Sequence, residues 1–145
     1  MHLHSLDGGA VSAMDGGLLP VTQLAMVVHE DLSYHEYEGI ALDLAERPRL
    51  QADLGQSCSM LLWNHGTLAV GPTVAEAFIR LYALERACSM QVRMSGRQLH
   101  LPQPGVSARV ASQFAHPDFG GVVVKPLAWP ALLRMLARRD RSYAT

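Results

Sequence analysis

The sequence of 145 residues has few cysteines, few aromatic side chains and no excess of either charge. Its two cysteines, Cys58 and Cys88, are too few and too far apart for a zinc knuckle or a redox CxxC motif. A net charge of -1 excludes a broad attraction to nucleic acid or to an anionic membrane surface. No apolar run approaches the roughly 18 residues of a membrane span, and no leader-like segment opens the chain. We therefore expect a cytoplasmic protein with neither a nucleic-acid nor a membrane partner.

Length and composition favour one domain, residues 1–145. A chain of this size, 49% hydrophobic, can bury roughly two thirds of its unfolded surface around one core. No internal repeat interrupts it.

Residues 60–71 predict a β-hairpin with a histidine at its tip. Two apolar runs, residues 60–63 and 67–70, flank Asn64-His65-Gly66, and both Asn and Gly tolerate the positive φ that a tight turn requires. A side chain on so short a loop points away from the core on a stiff support, which suits a metal ligand or a catalytic group. The alternative for His65, favoured by spacing alone, is an ordinary surface histidine.

A second histidine motif, His2-Leu3-His4, opens the chain. On an extended strand, residues i and i+2 project from one face, roughly 6.5 to 7 Å apart along the backbone, so both imidazoles can reach one cation. Together with His65 they would supply three nitrogen ligands and leave one coordination position free, as in a catalytic zinc site. The alternative is a frayed, solvated chain end.

Other short motifs follow one another along the chain. They are His2-Leu3-His4-Ser5, Ala-Val-Ser-Ala-Met at 10–14, Gly-Leu-Leu-Pro at 17–20, Tyr-His-Glu-Tyr-Glu-Gly at 34–39, Asn-His-Gly at 64–66, Val-Gly at 70–71, Thr-Val-Ala-Glu-Ala-Phe at 73–78 and Leu-Glu-Arg-Ala-Cys at 84–88. No single motif is specific, but their order and spacing resemble the class II aldolase/adducin family over most of the chain. The resemblance implies an α/β fold, a three-layer α/β/α sandwich around a central, mostly antiparallel sheet.

The resemblance also implies a site and an activity. In the metal-dependent enzymes of the family, the histidines at these positions bind zinc, which here assigns His2, His4 and His65 as ligands of Zn²⁺ or another divalent metal. The implied activity is that of an aldehyde-lyase or an epimerase. Such an enzyme would cleave a sugar phosphate or a related hydroxycarbonyl compound through a zinc-stabilised enediolate. We also expect it to form a homo-oligomer.

The chain departs from the family at its start. In the family, a part that carries a Gly/Ser-rich phosphate-binding region and the catalytic carboxylate precedes the His-x-His motif. We therefore expect the C-terminal portion of the family domain, with N-terminal strands missing and doubtful activity. The catalytic residues stay unknown: Asp7 and Glu30 are near the motifs in sequence, and Tyr143 only loosely resembles a tyrosine of some relatives. No other cofactor-binding residue is predicted.

Two alternatives to an enzyme remain at this point. One is a non-catalytic, adducin-like module for oligomerisation and interaction, and the other is a gene fragment or a mis-set start. Because missing strands would leave unpaired sheet edges, which invite self-association, we expect obligate oligomers or low solubility.

The remaining elements are predicted from local patterns. We expect helices near 10–14, 21–26, 48–54, from Thr73 onward, at 106–115 and from Trp129, a break at Asp7-Gly8-Gly9, and a strand within 27–39. Thr22 and Thr73 are the expected N-caps of their helices. Ser5 and Ser12 either bind substrate or cap the local backbone, and capping is favoured. His35 or Tyr34 could line a cleft, but packing of the aromatic residues on the sheet is favoured.

Overall fold

The computed structural model describes residues 1–40, 42–118 and 127–142, so Tyr143 lies outside the described residues. The elements in chain order are β1 (His2–Leu3), α1 (Leu6–Ser12), α2 (Gln23–His29), β2 (Leu32–His35), α3 (Glu46–Leu54), β3 (Ser59–Leu62), β4 (Gly66–Ala69), α4 (Val74–Arg93), α5 (Val106–Ala115) and α6 (Trp129–Arg139). None of the helices in this part of the chain combines the length and apolarity needed to span a membrane.

The four strands form one mixed sheet in the order β1-β4-β3-β2. β4 pairs antiparallel with both β1 and β3, whereas β2 pairs parallel with β3. The predicted α/β class is therefore confirmed, and the predicted antiparallel character holds for two of the three strand pairs. The missing N-terminal strands stay a prediction.

Helices contact both faces of the sheet at β2. Tyr34 packs against the core on one face. The next residue, His35, points to the opposite face, where its Nδ1 lies 2.7 Å from Asp53 Oδ2 of α3. A three-layer arrangement is thus present at this strand, and over the rest of the sheet it stays a prediction.

The hydrophobic core joins α1, α2 and α4 to the central strand β3. Its buried residues are Val11, Leu18, Ala25, Val28, Leu61, Leu84, Ala87 and Cys88. Burial, with smaller contributions from the negative charges of Glu85 and Asp7, raises the pKa of the Cys88 thiol to about 12. Cys88 and Cys58 are both free thiols. Because Cys88 is fully buried, it acts as a small apolar core residue.

The predicted break at Asp7-Gly8-Gly9 is wrong, because both glycines lie inside α1. Ser5 caps this helix, its Oγ accepting a hydrogen bond of 2.9 Å from the Gly8 N–H. Glycine lets α1 approach its neighbours closely, since a Cβ on Gly8 would lie 2.7 Å from Thr67 Cγ2. Tertiary packing therefore outweighs the low helix propensity of the two glycines.

The strand predicted within 27–39 is confirmed as β2, whereas α2 extends three residues beyond its predicted end at residue 26. Thr22 caps α2 as predicted, its Oγ1 accepting from the Ala25 N–H at 3.2 Å. Ala25 and Val28 are buried in the core at a helical spacing of three, so the helix continues through Val28 and the strand begins only at Leu32.

The hairpin prediction is confirmed. β3 and β4 pair with Leu62 opposite Gly66, and the His65 N–H donates to the Leu62 carbonyl at 3.0 Å across the turn. Asn64 has a φ of 56°, the left-handed region that Asn tolerates better than most residues. Its N–H donates to the Ser12 carbonyl at 3.0 Å, which ties the turn to the end of α1.

Two glycines of α1 provide a matched test of this packing. Gly8→Ala should lower the free energy of unfolding by about 1–3 kcal/mol, because its methyl group would overlap stiff, buried Thr67. Gly9→Ala should leave it unchanged or raise it by up to ~1 kcal/mol, since the nearest atom to its Cβ, the His65 carbonyl oxygen, is 4.0 Å away. Urea unfolding followed by circular dichroism measures both. Equal effects would contradict the close approach of α1.

The hairpin turn can be tested at Asn64, whose side chain is exposed. Asn64→Ala and Asn64→Gly both remove the amide group, and they differ only by a Cβ at positive φ. The alanine variant should be less stable than the glycine variant by about 1–2 kcal/mol. Thermal unfolding of the two variants side by side gives the difference. If the alanine variant were as stable as the glycine variant, the left-handed backbone conformation assigned to Asn64 would be wrong.

Candidate metal centre

The first two residues of the opening His-x-His segment form an edge strand of the sheet. β1 pairs with β4, with His2 opposite Leu68 and Leu3 opposite Thr67. The approach is close, because a Cβ on Gly66 would lie 2.3 Å from the Leu3 carbonyl oxygen. The frayed-end alternative is therefore wrong, and the strand places His2 and the following His4 beside the turn that carries His65.

The structure brings the three predicted histidines together. His4 Nε2 lies 2.7 Å from His2 Nε2 and 2.7 Å from His65 Nε2. The three ring centroids are 4.5 to 4.8 Å apart. One potential ligand atom from each residue lies within 4.8 Å of the others, and no other such group of three occurs in the described ranges. The surface-histidine alternative for His65 thus leaves this convergence unexplained.

Hydrogen bonds between neutral rings cannot account for both short contacts. The Thr67 carbonyl only accepts, so His2 Nδ1–H donates to it at 2.8 Å and His2 Nε2 carries a lone pair. His4 Nε2 carries either one hydrogen or one lone pair. If it donates to His2, it has no lone pair left to accept from His65. A linear hydrogen bond from or to His4 Nε2 can therefore satisfy only one of the two contacts, whereas a cation between the rings would satisfy all three nitrogens.

A divalent metal fits this donor set. Imidazole nitrogens that present lone pairs toward a common point are the usual ligands of zinc and similar ions. The bond from His2 Nδ1 to a backbone carbonyl is the kind of outer interaction that fixes the tautomer and orientation of a ligand ring. Among the residues that the structure describes, His2, His4 and His65 are therefore the group that could hold such an ion.

The electrostatic setting of His65 favours a neutral ring. Burial holds the pKa of the His65 imidazole below its ordinary value, and the neighbouring His2 and His4 rings lower it further, while Glu46 acts in the opposite direction. Only a neutral imidazole can bind a metal. His65 therefore keeps its lone pair to a lower pH than an exposed histidine would.

The other candidates from the sequence have structural contacts. Ser5 Oγ caps α1 and Ser12 Oγ donates to the Gly9 carbonyl at 2.8 Å, which agrees with the favoured capping alternative. Asp7 Oδ2 lies 3.5 Å from Arg93, and Glu30 lies 3.7 Å from the His29 ring. Neither acidic residue belongs to the histidine cluster.

The aromatic residues of the 34–39 motif divide between packing and the site. The Tyr34 ring stacks on Trp63 with centroids 4.7 Å apart, and His35 is buried against Asp53, so the packing alternative holds for both. Tyr37 is half exposed and lies beside the cluster, its ring centroid 5.8 Å from that of His65.

Sequence reasoning missed Glu85, which lies on α4 next to the site. Its carboxylate accepts a 2.5 Å hydrogen bond from Ser5 Oγ and another from Thr67 Oγ1. The available signal was an acidic residue directly after Leu84 and three residues before Cys88, both of which are core positions. An acid that close to a buried helix face needs specific partners.

Comparisons with known proteins agree with this fold. Residues 1–92 match the family model described as "Class II Aldolase and Adducin N-terminal domain". A protein of Caulobacter vibrioides named "Putative aldolase class 2 protein" is 48% identical over 147 residues, covering 99% of this chain and 56% of that protein. The chain thus spans about half the length of the curated relatives it matches.

Solved structures give the same result. The crystal structure of an aldolase II superfamily protein from Pseudomonas syringae superposes with a TM-score of 0.85 at 44% identity, over 97% of this chain and 56% of that one. L-fuculose 1-phosphate aldolase from Glaciozyma antarctica PI12 shares the fold, with a TM-score of 0.76 at 22% identity over 97% of this chain and 53% of that one. With its matching family model, this chain belongs to the class II aldolase/adducin family.

Proposed function

We propose that this chain is the metal-binding part of a class II aldolase-type aldehyde-lyase or epimerase. In this proposal His2, His4 and His65 hold Zn²⁺ or another divalent metal. The observation that carries the proposal is the convergence of three imidazoles, with potential ligand atoms within 4.8 Å of one another. Class II aldolases generally use a divalent metal, which supports the assignment.

The substrate class follows from the chemistry of such a site. Cleavage of a carbon–carbon bond next to a carbonyl places negative charge on oxygen atoms of the substrate. A bound divalent metal supplies the positive charge that stabilises those oxygens. The substrate would be a sugar phosphate or a related hydroxycarbonyl compound, and the fold neighbour named L-fuculose 1-phosphate aldolase supports this choice.

The protein's own residues prepare the site. The Thr67 carbonyl holds His2 Nδ1, so Nε2 is the atom that His2 offers to a ligand. His65 resists protonation because burial disfavours its charged ring. His2 and His4 are exposed, so a small molecule can reach the cluster from solvent.

Proton transfer requires a further group. The reaction needs an acid/base within hydrogen-bonding reach of the substrate, and the geometry of the described residues assigns none. Because this chain spans 56% of its Caulobacter relative, we propose that the acid/base and the phosphate-binding region belong to the rest of the whole protein or to a neighbouring subunit of a homo-oligomer. The cytosol is the proposed location.

Metal binding provides the test of this proposal. Purified protein should contain about one divalent metal ion per chain, measured by inductively coupled plasma mass spectrometry. His65→Ala should weaken zinc binding by more than ~100-fold, because loss of an outer-shell partner alone costs 10–100-fold. His100→Ala, at an exposed histidine outside the cluster, is the control and should bind zinc as the unmodified protein does.

The opposite result would change the assignment. If the protein formed a stable oligomer without stoichiometric metal, and His65→Ala behaved like His100→Ala, the metal-dependent activity would be excluded. An adducin-like interaction module would then be the better description of the chain.

A further inference from the structure

A half-buried carboxylate connects the two chain segments that carry the histidines. Glu85, in the middle of α4, accepts hydrogen bonds from Ser5 Oγ at 2.5 Å and from Thr67 Oγ1. Ser5 directly follows His4, and Thr67 lies two residues after His65. One side chain on a third element thus holds both segments at points adjacent to the proposed ligands.

Thr67 extends this connection to His2. Its side chain is fully buried, and its hydroxyl donates to Glu85, while its carbonyl accepts from His2 Nδ1 at 2.8 Å. A change in the orientation of Thr67 would therefore move the group that sets the tautomer and the ring plane of His2.

Ser5 fixes the second segment. Its Oγ accepts from the Gly8 N–H at 2.9 Å and donates to Glu85, which sets the direction in which the chain leaves His4 and enters α1. There is little room for adjustment, since a Cβ on Gly8 would lie 2.7 Å from Ser5 Oγ and 2.9 Å from Glu85 Oε1.

We propose that Glu85 is a positioning residue of the metal centre, which orients the three imidazoles through Ser5 and Thr67. This inference rests on the proposed metal binding at those histidines. Hydrogen bonds to a carboxylate are stronger than those between neutral groups, and a half-buried carboxylate that loses them is costly. Glu85 therefore holds the Ser5 and Thr67 segments in one arrangement before any ion binds.

The test compares zinc affinity in variants that remove each link. Glu85→Ala removes the carboxylate. Thr67→Val removes one hydroxyl while keeping the shape of the side chain, and Thr67→Ser keeps the hydroxyl. Zinc affinity is measured by competition with a chelating dye, and the d–d absorption spectrum of the cobalt-substituted protein reports the ligand geometry independently of activity.

Gln91→Ala supplies a matched structural control on the same helix. Gln91 is buried, and it joins α4 to the loop after α1, accepting from the Leu19 N–H and donating to the Gly17 carbonyl, both at 2.7 Å. This loop carries no proposed ligand. The control should therefore lower the melting temperature while leaving zinc affinity and the cobalt spectrum unchanged.

Glu85→Ala should weaken zinc binding by about 10–100-fold and alter the cobalt spectrum. Thr67→Val should shift both readouts in the same direction, whereas Thr67→Ser should keep both close to those of the unmodified protein. This pair tests the positioning role even if Glu85→Ala does not fold.

If Thr67→Val, or a folded Glu85→Ala, bound zinc like the Gln91→Ala control, the positioning role would be overturned, but the proposed metal site would not. If the unmodified protein bound no zinc, the proposed function itself would fail, and the positioning role with it.

Discussion

The pairing of β1 with β4 is the constraint on which the rest of the site depends. It joins the first residues of the chain to a hairpin more than sixty positions later, with His2 opposite Leu68. The pairing requires glycine at position 66, where a side chain would meet the Leu3 carbonyl oxygen. Without this pair, His2 and His4 would have no fixed relation to His65, and no cluster would form.

The sheet edge is in turn held by the helices packed against it. α1 begins at Leu6, two residues after His4, and its close approach at Gly8 lets it contact both β4 and α4. The turn that carries His65 is tied to the end of α1 by the bond from Asn64 to Ser12. The backbone that carries the three histidines is therefore held by both the sheet and α1, although His2 and His4 themselves are exposed.

Local chemistry predicted much of this arrangement. Asn64 and Gly66 marked the hairpin, and Thr22 marked the start of α2, because turn and capping preferences act within a few residues. The family resemblance identified the histidines. The helical state of Gly8 and Gly9 was not predictable in this way, because contacts with Thr67 and Glu85 decide it. Such contacts depend on segments that are distant in sequence.

The same limit applies to the sheet and to the buried polar groups. The parallel pairing of β2 with β3 follows from how α3 crosses between the strands, which no local pattern near Leu32 or Ser59 reveals. The partners of Glu85 lie 18 and 80 positions away. A half-buried acid at position 85 could be suspected from its core neighbours, but its role could not be inferred before the fold was known.

Zinc K-edge X-ray absorption of the zinc-loaded protein measures the number, type and distance of the zinc ligands directly. The account predicts three imidazole nitrogens at roughly 2.0–2.1 Å from the metal, with any remaining ligand a light atom. A spectrum with one or two imidazoles, or with a sulfur ligand, would contradict the assignment of His2, His4 and His65 as one metal centre.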